Sequence, residues 1–367
     1  MKGRLLREVR ANFLQIFGST WCMSNDMQLQ YYYTEDVSIK VSLKEDQISP
    51  NYIWIEFSKS LLDFLNHIEQ EIKGKLIYTD ISFFSEEIDR FFEDDEEIVY
   101  VPAGRSMITL LSTQLNYIFT SLEDSQLRNI DYVTKRYTEL ILRLKPVFAH
   151  GMEGIANHMK NDPTQAKKYE RIRPALNILM DQAKEIMNST YRYVDGEERL
   201  YLSDDRYVKI NLASSGQQEV VWVFNLLFYY LSEDKKIFLI IEEPESHLYP
   251  ESQRRISETL SLVADSGNSA LVTTHSPYVL GTFNYLLMAG QVAESHQKEV
   301  AKKLRKRLWL EAENVNACYI RDGELTNGIS DEDNLRLIKN ELIDGASTEI
   351  NDMSDYLLGF LYAEGDK

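Results

Sequence analysis

Phe238-Leu239-Ile240-Ile241-Glu242-Glu243-Pro244-Glu245-Ser246-His247-Leu248 is the run whose reading decides the fold. Its first four residues form a continuous apolar block, the pattern of a strand buried on both faces of a parallel sheet. A strand ending in two adjacent carboxylates presents one on each side of its tip, because successive side chains alternate. In open α/β sheets the ligand crevice lies at that C-terminal end. One carboxylate there can hold a magnesium ion through water, and the other can polarise a water for attack on a phosphoryl group. A strand end that simply turns in solvent is the plain alternative, and Glu-Glu-Pro by itself leaves it open.

Two further segments bear on that reading. Asn211-Leu-Ala-Ser214-Ser215-Gly216-Gln217-Gln218-Glu219 precedes the apolar stretch Val220 to Leu231. A helix opened by Ser214, Ser215, Gly216 and Gln217 offers free backbone N–H groups, hydroxyls and the positive end of a helix dipole, which together make an anion site. The same residues also suit an ordinary serine N-cap. Ala270-Leu-Val-Thr-Thr-His275-Ser276-Pro277 gives a second buried strand with a polar residue delivered at its end. A lone histidine is more often structural than functional, so this segment is weak alone.

In this order and spacing the three segments resemble the signature motif, Walker B strand and switch histidine of ATP-binding-cassette ATPases. The Glu-Glu-Pro-Glu-Ser-His-Leu form followed by His-Ser-Pro is most similar to the branch of chromosome-maintenance, recombination-repair and OLD-type ATPases. Within it, the chain looks like the standalone AAA-domain proteins of bacteria, many of them linked to phage defence. The likeness is specific over about residues 207 to 285, and Tyr100-Val-Pro-Ala-Gly-Arg105-Ser resembles a strand of the same relatives. It implies an α/β fold of the P-loop NTPase type, with a central mostly parallel sheet, an antiparallel β subdomain and a helical insertion. It implies ATP and Mg²⁺ as cofactors, with Glu242 as the metal-coordinating residue, Glu243 as the catalytic base and His275 as the sensor of the γ-phosphate. Ser214 and Gly216 match signature residues that contact a nucleotide bound by the opposite subunit, so the implied partner is a second copy closed around ATP. The usual motif has Gly where Ser215 stands. His247 and Leu248 occupy the segment that crosses the dimer interface in relatives.

One element of the resemblance is missing. G-x-x-x-x-G-K-[ST] occurs nowhere in the 367 residues, and the only Gly-Lys pair, Gly74-Lys75, is followed by Leu76. Without that lysine and its cradle of N–H groups, nothing grips the β- and γ-phosphates. Residues 4 to 17 place Leu5, Leu6, Val9, Phe13, Ile16 and Phe17 on one helical stripe that needs a sheet to pack on. The expectation is therefore additional upstream sequence, on the order of 30 residues for a strand–loop–helix unit, that contains the loop. A degenerate, non-catalytic interaction module is the alternative.

Elsewhere the sequence reads more plainly. Val37 to Leu43 and Asn51 to Phe57 alternate with period two, as half-buried antiparallel strands do, and a helix is expected over Ser58 to Ile72. Glu93 to Glu97 reads as a solvated loop before the short strand Ile98 to Val101. Met107 to Asn188 reads as helical with breaks at Pro146, Gly151, Gly154 and Pro163. Tyr191 to Ile210 reads as a meander turning at Asp195-Gly196, and Asp322-Gly323 marks a hairpin. The chain divides on this reading into 1–106, the N-terminal part of an ATPase lobe; 107–190, a helical insertion; 191–290, the remainder of the lobe; and 291–367, a helical and hairpin extension. Asp331-Glu-Asp333 reads as a capped helix start rather than a nuclease site.

The composition is that of a globular protein, 44% hydrophobic and 27% charged, and the net charge of −18 argues against a surface built wholly for nucleic acid. Six of the ten residues from Lys298 to Arg307 are basic, so a local nucleic-acid or partner contact competes there with a solvated face. If that stretch is helical, Lys298, Lys302, Arg305 and Lys306 share a face. No apolar run approaches the roughly 18 residues of a membrane helix. Two cysteines, Cys22 and Cys318, suit a reducing compartment, and the expected location is the cytoplasm. The expected function is an ATPase that dimerises on ATP and gates a separate effector, such as a nuclease, in DNA repair or phage defence.

Overall fold

The strand that carries Glu242 and Glu243 sits at the centre of a three-stranded parallel sheet. A computed structural model describes residues 6, 27–44, 52–74, 85–92, 96–110, 132–332, 335–339 and 351–357. The chain divides into two compact units, residues 1–96 with 115–139, and residues 97–114 with 140–367.

In the first unit β1 (Gln28–Tyr32), β2 (Ser38–Lys44) and β3 (Tyr52–Phe57) form an antiparallel sheet in that order. Period-two alternation buries Val41, Ile53 and Ile55 on one face, while Trp54 points outward. Helix α1 (Lys59–Gly74) brings Leu61 and Leu65 against Val37, and Phe64 stacks on Phe91 of α2 (Ser85–Phe92) at a ring separation of 3.8 Å. The amphipathic helix expected over 4 to 17 lies outside the described residues apart from Leu6.

The second unit is built on the parallel sheet β4 (Glu97–Val101), β8 (Ile237–Glu242) and β9 (Ser269–Thr273), in the spatial order β4-β8-β9. Between β4 and β8 the chain supplies α3 (Tyr132–Leu144), of which residues 132–139 belong to the first unit, then α4 (Gly151–Asn161), α5 (Ala166–Met187), the antiparallel meander β5 (Thr190–Val194), β6 (Glu197–Ser203) and β7 (Arg206–Lys209), and α6 (Ser215–Glu233). Beyond β8 come α7 (Pro250–Asp265) before β9 and α8 (Pro277–Gly290) after it, then α9 (Glu294–Val300). Two hairpins follow, β10 (Cys318–Arg321) with β11 (Glu324–Asn327), and β12 (Ile329–Glu332) with β13 (Leu335–Ile338). Among the described residues no helix is long and apolar enough to cross a membrane.

Helix α6 is the core of this unit. Val220 to Phe224 and Leu226 to Phe228 are all buried, as a helix apolar on every side must be. Its Trp222 packs against Phe148 and Tyr191, and Trp222 Nε1–H and Tyr191 O–H both donate to Glu198 Oε1. Glu198 Oε2 lies 2.6 Å from Lys145 Nζ, and both side chains are at least 96% buried. This polar cluster fastens the 3₁₀ turn Lys145–Phe148 to the meander and to α6.

Several expectations need correction. Val99, Leu239 and Ile241 are buried on one face of the parallel sheet, but Ile98 and Leu271 are 65% and 50% exposed on strands flanking the half-buried Phe238 and Ile240. β8 is thus fully covered on one face only. β8 and β9 pair directly in parallel, Ile240 opposite Leu271. Gly154 lies inside α4 and breaks nothing, whereas Gly151 begins that helix at φ 68°. Asp331 does not cap a helix; it pairs with Arg336 across the β12–β13 hairpin. The turn readings hold: Asp195-Gly196 and Asp322-Gly323 both adopt the positive φ values that two-residue hairpins demand.

Burial holds three phenols neutral. Desolvation, reinforced by a neighbouring carboxylate in each case, raises the pKa of Tyr191 beside Glu198, of Tyr230 beside Glu97 and of Tyr285 beside Glu258. A phenol whose folded-state pKa exceeds its unfolded value stabilises the fold fully below the unfolded pKa of about 10 and progressively less above it. Denaturation midpoints measured from pH 8 upward should therefore fall once pH passes about 10, and the loss should be smaller in Tyr191→Phe. A flat profile to pH 11 contradicts this assignment.

Candidate functional site

Glu242 ends β8 on the same face as Tyr100 of β4. Its Oε1 accepts from Tyr100 O–H, and its Oε2 accepts from the Ala103 N–H at 3.0 Å. The carboxylate is thereby fixed in direction while each oxygen keeps a lone pair for a further ligand. Glu243 follows at φ 41°, a left-handed value rare for a residue with a Cβ, and its N–H donates to the Thr273 carbonyl at 2.9 Å. The turn swings its half-buried side chain to the end of β9. There Ser246 Oγ donates to Glu243 Oε2, and His275 Nε2 stands 3.9 Å from Glu243 Oε1. The His275 side chain is 90% exposed, so it is free to meet a bound ligand.

The loop bearing His275 is anchored by a residue that sequence reasoning overlooked. Glu245, only 9% exposed, accepts from Thr274 O–H at 2.6 Å and from the His275 N–H at 2.8 Å. It lies within the deciding run, but alternation along a strand says nothing about a residue in the turn beyond it. Ser276 then caps α8, accepting from the N–H groups of Tyr278 and Val279.

Ser214 caps α6 in a capping box. Its Oγ accepts from the Gln217 N–H, and Gln217 Oε1 accepts from the Ser214 N–H at 3.0 Å. Ser214 and Ser215 are exposed, and the side chain of Ser214 is engaged with Gln217 rather than with Glu242 or Glu243. Gly216 has a packing reason to be glycine: a Cβ there would lie 2.9 Å from the His247 carbonyl oxygen and 3.3 Å from Leu248 Cδ2. Backbone cannot yield as a flexible side chain can. Gly216→Ala should cost about 1–3 kcal/mol, the usual penalty for overpacking, and should shift the His247–Leu248 turn. Thermal denaturation checks the first effect, and a Gly216→Ala protein as stable as wild type contradicts the contact.

The basic stretch resolves into local pairs. Helix α9 stops at Val300, so Lys298, Lys302, Arg305 and Lys306 do not share the helical face expected of them. Lys302 pairs with Glu299, Arg305 with Asp181 at 3.0 Å and Arg307 with Asp265 at 2.6 Å, while Lys306 donates to Gln297. Half of the six basic groups thus already have a carboxylate partner.

The carboxylates of β8 fit a hard cation. Among the described residues no group of three or more His, Cys, Asp or Glu could hold a metal unaided. A pair of strand-end carboxylates suits Mg²⁺, which keeps several waters and takes its remaining ligands from phosphate oxygens. Residues 22–280 match the family described as the AAA ATPase domain. No curated protein matches the chain.

Proposed function

Since the chain belongs to the AAA ATPase domain family, we propose that Glu242, Glu243 and His275 form its hydrolytic edge and that Ser214 to Gln217 serve a nucleotide held by a second copy. One observation carries this reading. Glu243 and His275 approach within 3.9 Å at the C-terminal ends of adjacent parallel strands, with Glu242 ending the same strand β8, where open α/β sheets place their ligands, and Ser214 is exposed to solvent.

The roles follow from the local chemistry. Glu242, held by Tyr100 and Ala103, would ligate Mg²⁺, which supplies charge for the phosphate oxygens. Glu243 keeps one oxygen on Ser246 and has the other 3.9 Å from His275, where it would accept the proton of the attacking water. His275, beside that oxygen and otherwise exposed, is placed to donate to a terminal phosphate. The first turn of α6 offers N–H groups and two hydroxyls to the phosphate of the partner copy's nucleotide. Closure of two copies on ATP, undone by hydrolysis, is the movement such a pair offers to an effector protein.

The absence of the phosphate loop from these 367 residues favours a second reading, an interaction module without turnover. A mixing experiment separates the two. Ser214→Asp keeps a residue able to cap α6 but sets a negative charge against the partner's phosphate. Glu243→Gln removes the base. Each variant should be nearly inactive alone, while an equimolar mixture of the full-length proteins should regain up to about a quarter of wild-type turnover, since half of the random pairs are mixed and each mixed pair holds one intact composite site. No recovery on mixing contradicts a signature that acts across a dimer. No turnover in the wild type favours the interaction module.

A further inference from the structure

Arg105 is the second-largest fully buried side chain in the described residues, and nothing in the roles above uses it. The chain reaches it through Gly104 at φ 69°, a conformation that turns the backbone inward directly after β4. Its guanidinium lies under the tip of β8. Nη1 donates to the carbonyls of Pro102 and Glu242 at 2.9 and 2.6 Å, and Nη2 donates to the Glu243 carbonyl at 2.9 Å. Nε donates to the Glu219 backbone carbonyl at 3.4 Å and lies 3.1 Å from Glu219 Oε2, with both side chains fully buried. Glu219 stands in the second turn of α6, and its Oε1 accepts from the Ser106 N–H and faces His247 Nδ1 at 3.3 Å. His247 itself is 58% exposed and sits at φ 59°.

We propose that Arg105 is a positioning residue for hydrolysis, holding the Glu242–Glu243 peptide in its left-handed turn and tying it through Glu219 to helix α6 and to the exposed His247. The inference rests on the assignment of Glu243 as base. A carbonyl that has lost its ladder partner needs a donor, and a planar fork with donors on three nitrogens meets the successive Glu242 and Glu243 carbonyls and the Glu219 carbonyl at once, with its charge paired to the Glu219 carboxylate, which a lysine cannot do. The strained φ of Glu243 persists only if its surroundings over-determine it. Here the Thr273 carbonyl holds one end of that residue and Arg105 the other. Because Glu219 belongs to the helix whose first turn faces the second copy, a shift of that helix is transmitted to the angle of the Glu243 carboxylate.

The test uses the full-length protein with three variants: Arg105→Lys, the double variant Arg105→Met/Glu219→Met, and Glu243→Gln. The double variant removes both buried charges together, so it retains the fold where a single deletion leaves one charge stranded. Melting temperature, the dissociation constant for Mg·ATP and kcat are measured for each. We expect the double variant to melt within a few degrees of wild type and bind Mg·ATP within threefold, but turn over at least tenfold more slowly; Arg105→Lys should fall in the same direction. A double variant that is stable and turns over at the wild-type rate, beside an inactive Glu243→Gln, overturns the proposal, because a purely structural ion pair would behave that way. Wild-type turnover in Glu243→Gln overturns instead the assignment of the base on which the proposal rests.

Discussion

Glu243→Gln in the full-length protein should lower kcat by about 10²- to 10⁴-fold, the usual contribution of a positioned general base. That is about 3–5 kcal/mol of transition-state stabilisation. Glutamine keeps the length of the side chain and an oxygen that still accepts from Ser246 Oγ, so the turn around Pro244 survives. What is lost is the capacity to take a proton from water. Glu242 remains on Tyr100 and Ala103, so Mg·ATP binding should change by less than about threefold while the closed dimer lives longer. Steady-state turnover and size-exclusion chromatography with ATP measure the two effects. Wild-type turnover would move the base to another residue.

The second large effect concerns stability. Lys145→Met should destabilise the second unit by about 3–5 kcal/mol, because it strands the buried Glu198 without its cation. Methionine nearly preserves the volume, so the loss comes from charge rather than from a cavity. The double variant Lys145→Met/Glu198→Gln should recover more than half of that loss. Its neutral amide oxygen can still accept from Tyr191 and Trp222, as the carboxylate does. Urea midpoints decide the matter. A single variant within about 1 kcal/mol of wild type would mean that water reaches Lys145 and that the pair is not desolvated.

These two sites mark where the sequence could and could not be read. The placement of Glu242, Glu243 and His275 at strand ends was legible because a short apolar run followed by a polar residue is a local pattern, and strand ends in parallel sheets gather on one side. The turns at Asp195-Gly196 and Asp322-Gly323 were legible because few residue pairs tolerate two positive φ values. Lys145, Glu198, Arg105 and Glu219 were not, since each pairs with a residue far away in the chain and no periodicity marks a charge that will be buried. Asp331 misled because an acidic residue before a short apolar run satisfies the rule for a helix start as well as that for a hairpin, and only Arg336 across the ladder settles which. The basic stretch misled differently. Its charges suggested one helical face, but α9 ends at Val300 and the acidic partners Asp181 and Asp265 lie on α5 and α7.

The left-handed turn at Glu243 bears on how this site can change over generations. A residue with a Cβ is strained there by about 1–3 kcal/mol, and glycine is not. Selection for expression or thermal tolerance alone would thus drift this position toward glycine and erase the proposed base, while the neighbouring Glu242, in ordinary strand geometry, feels no such pull. On the proposed roles, a lineage relieved of the need to hydrolyse ATP should lose Glu243 before Glu242, keeping the residue proposed to hold Mg²⁺ after the proposed base is gone.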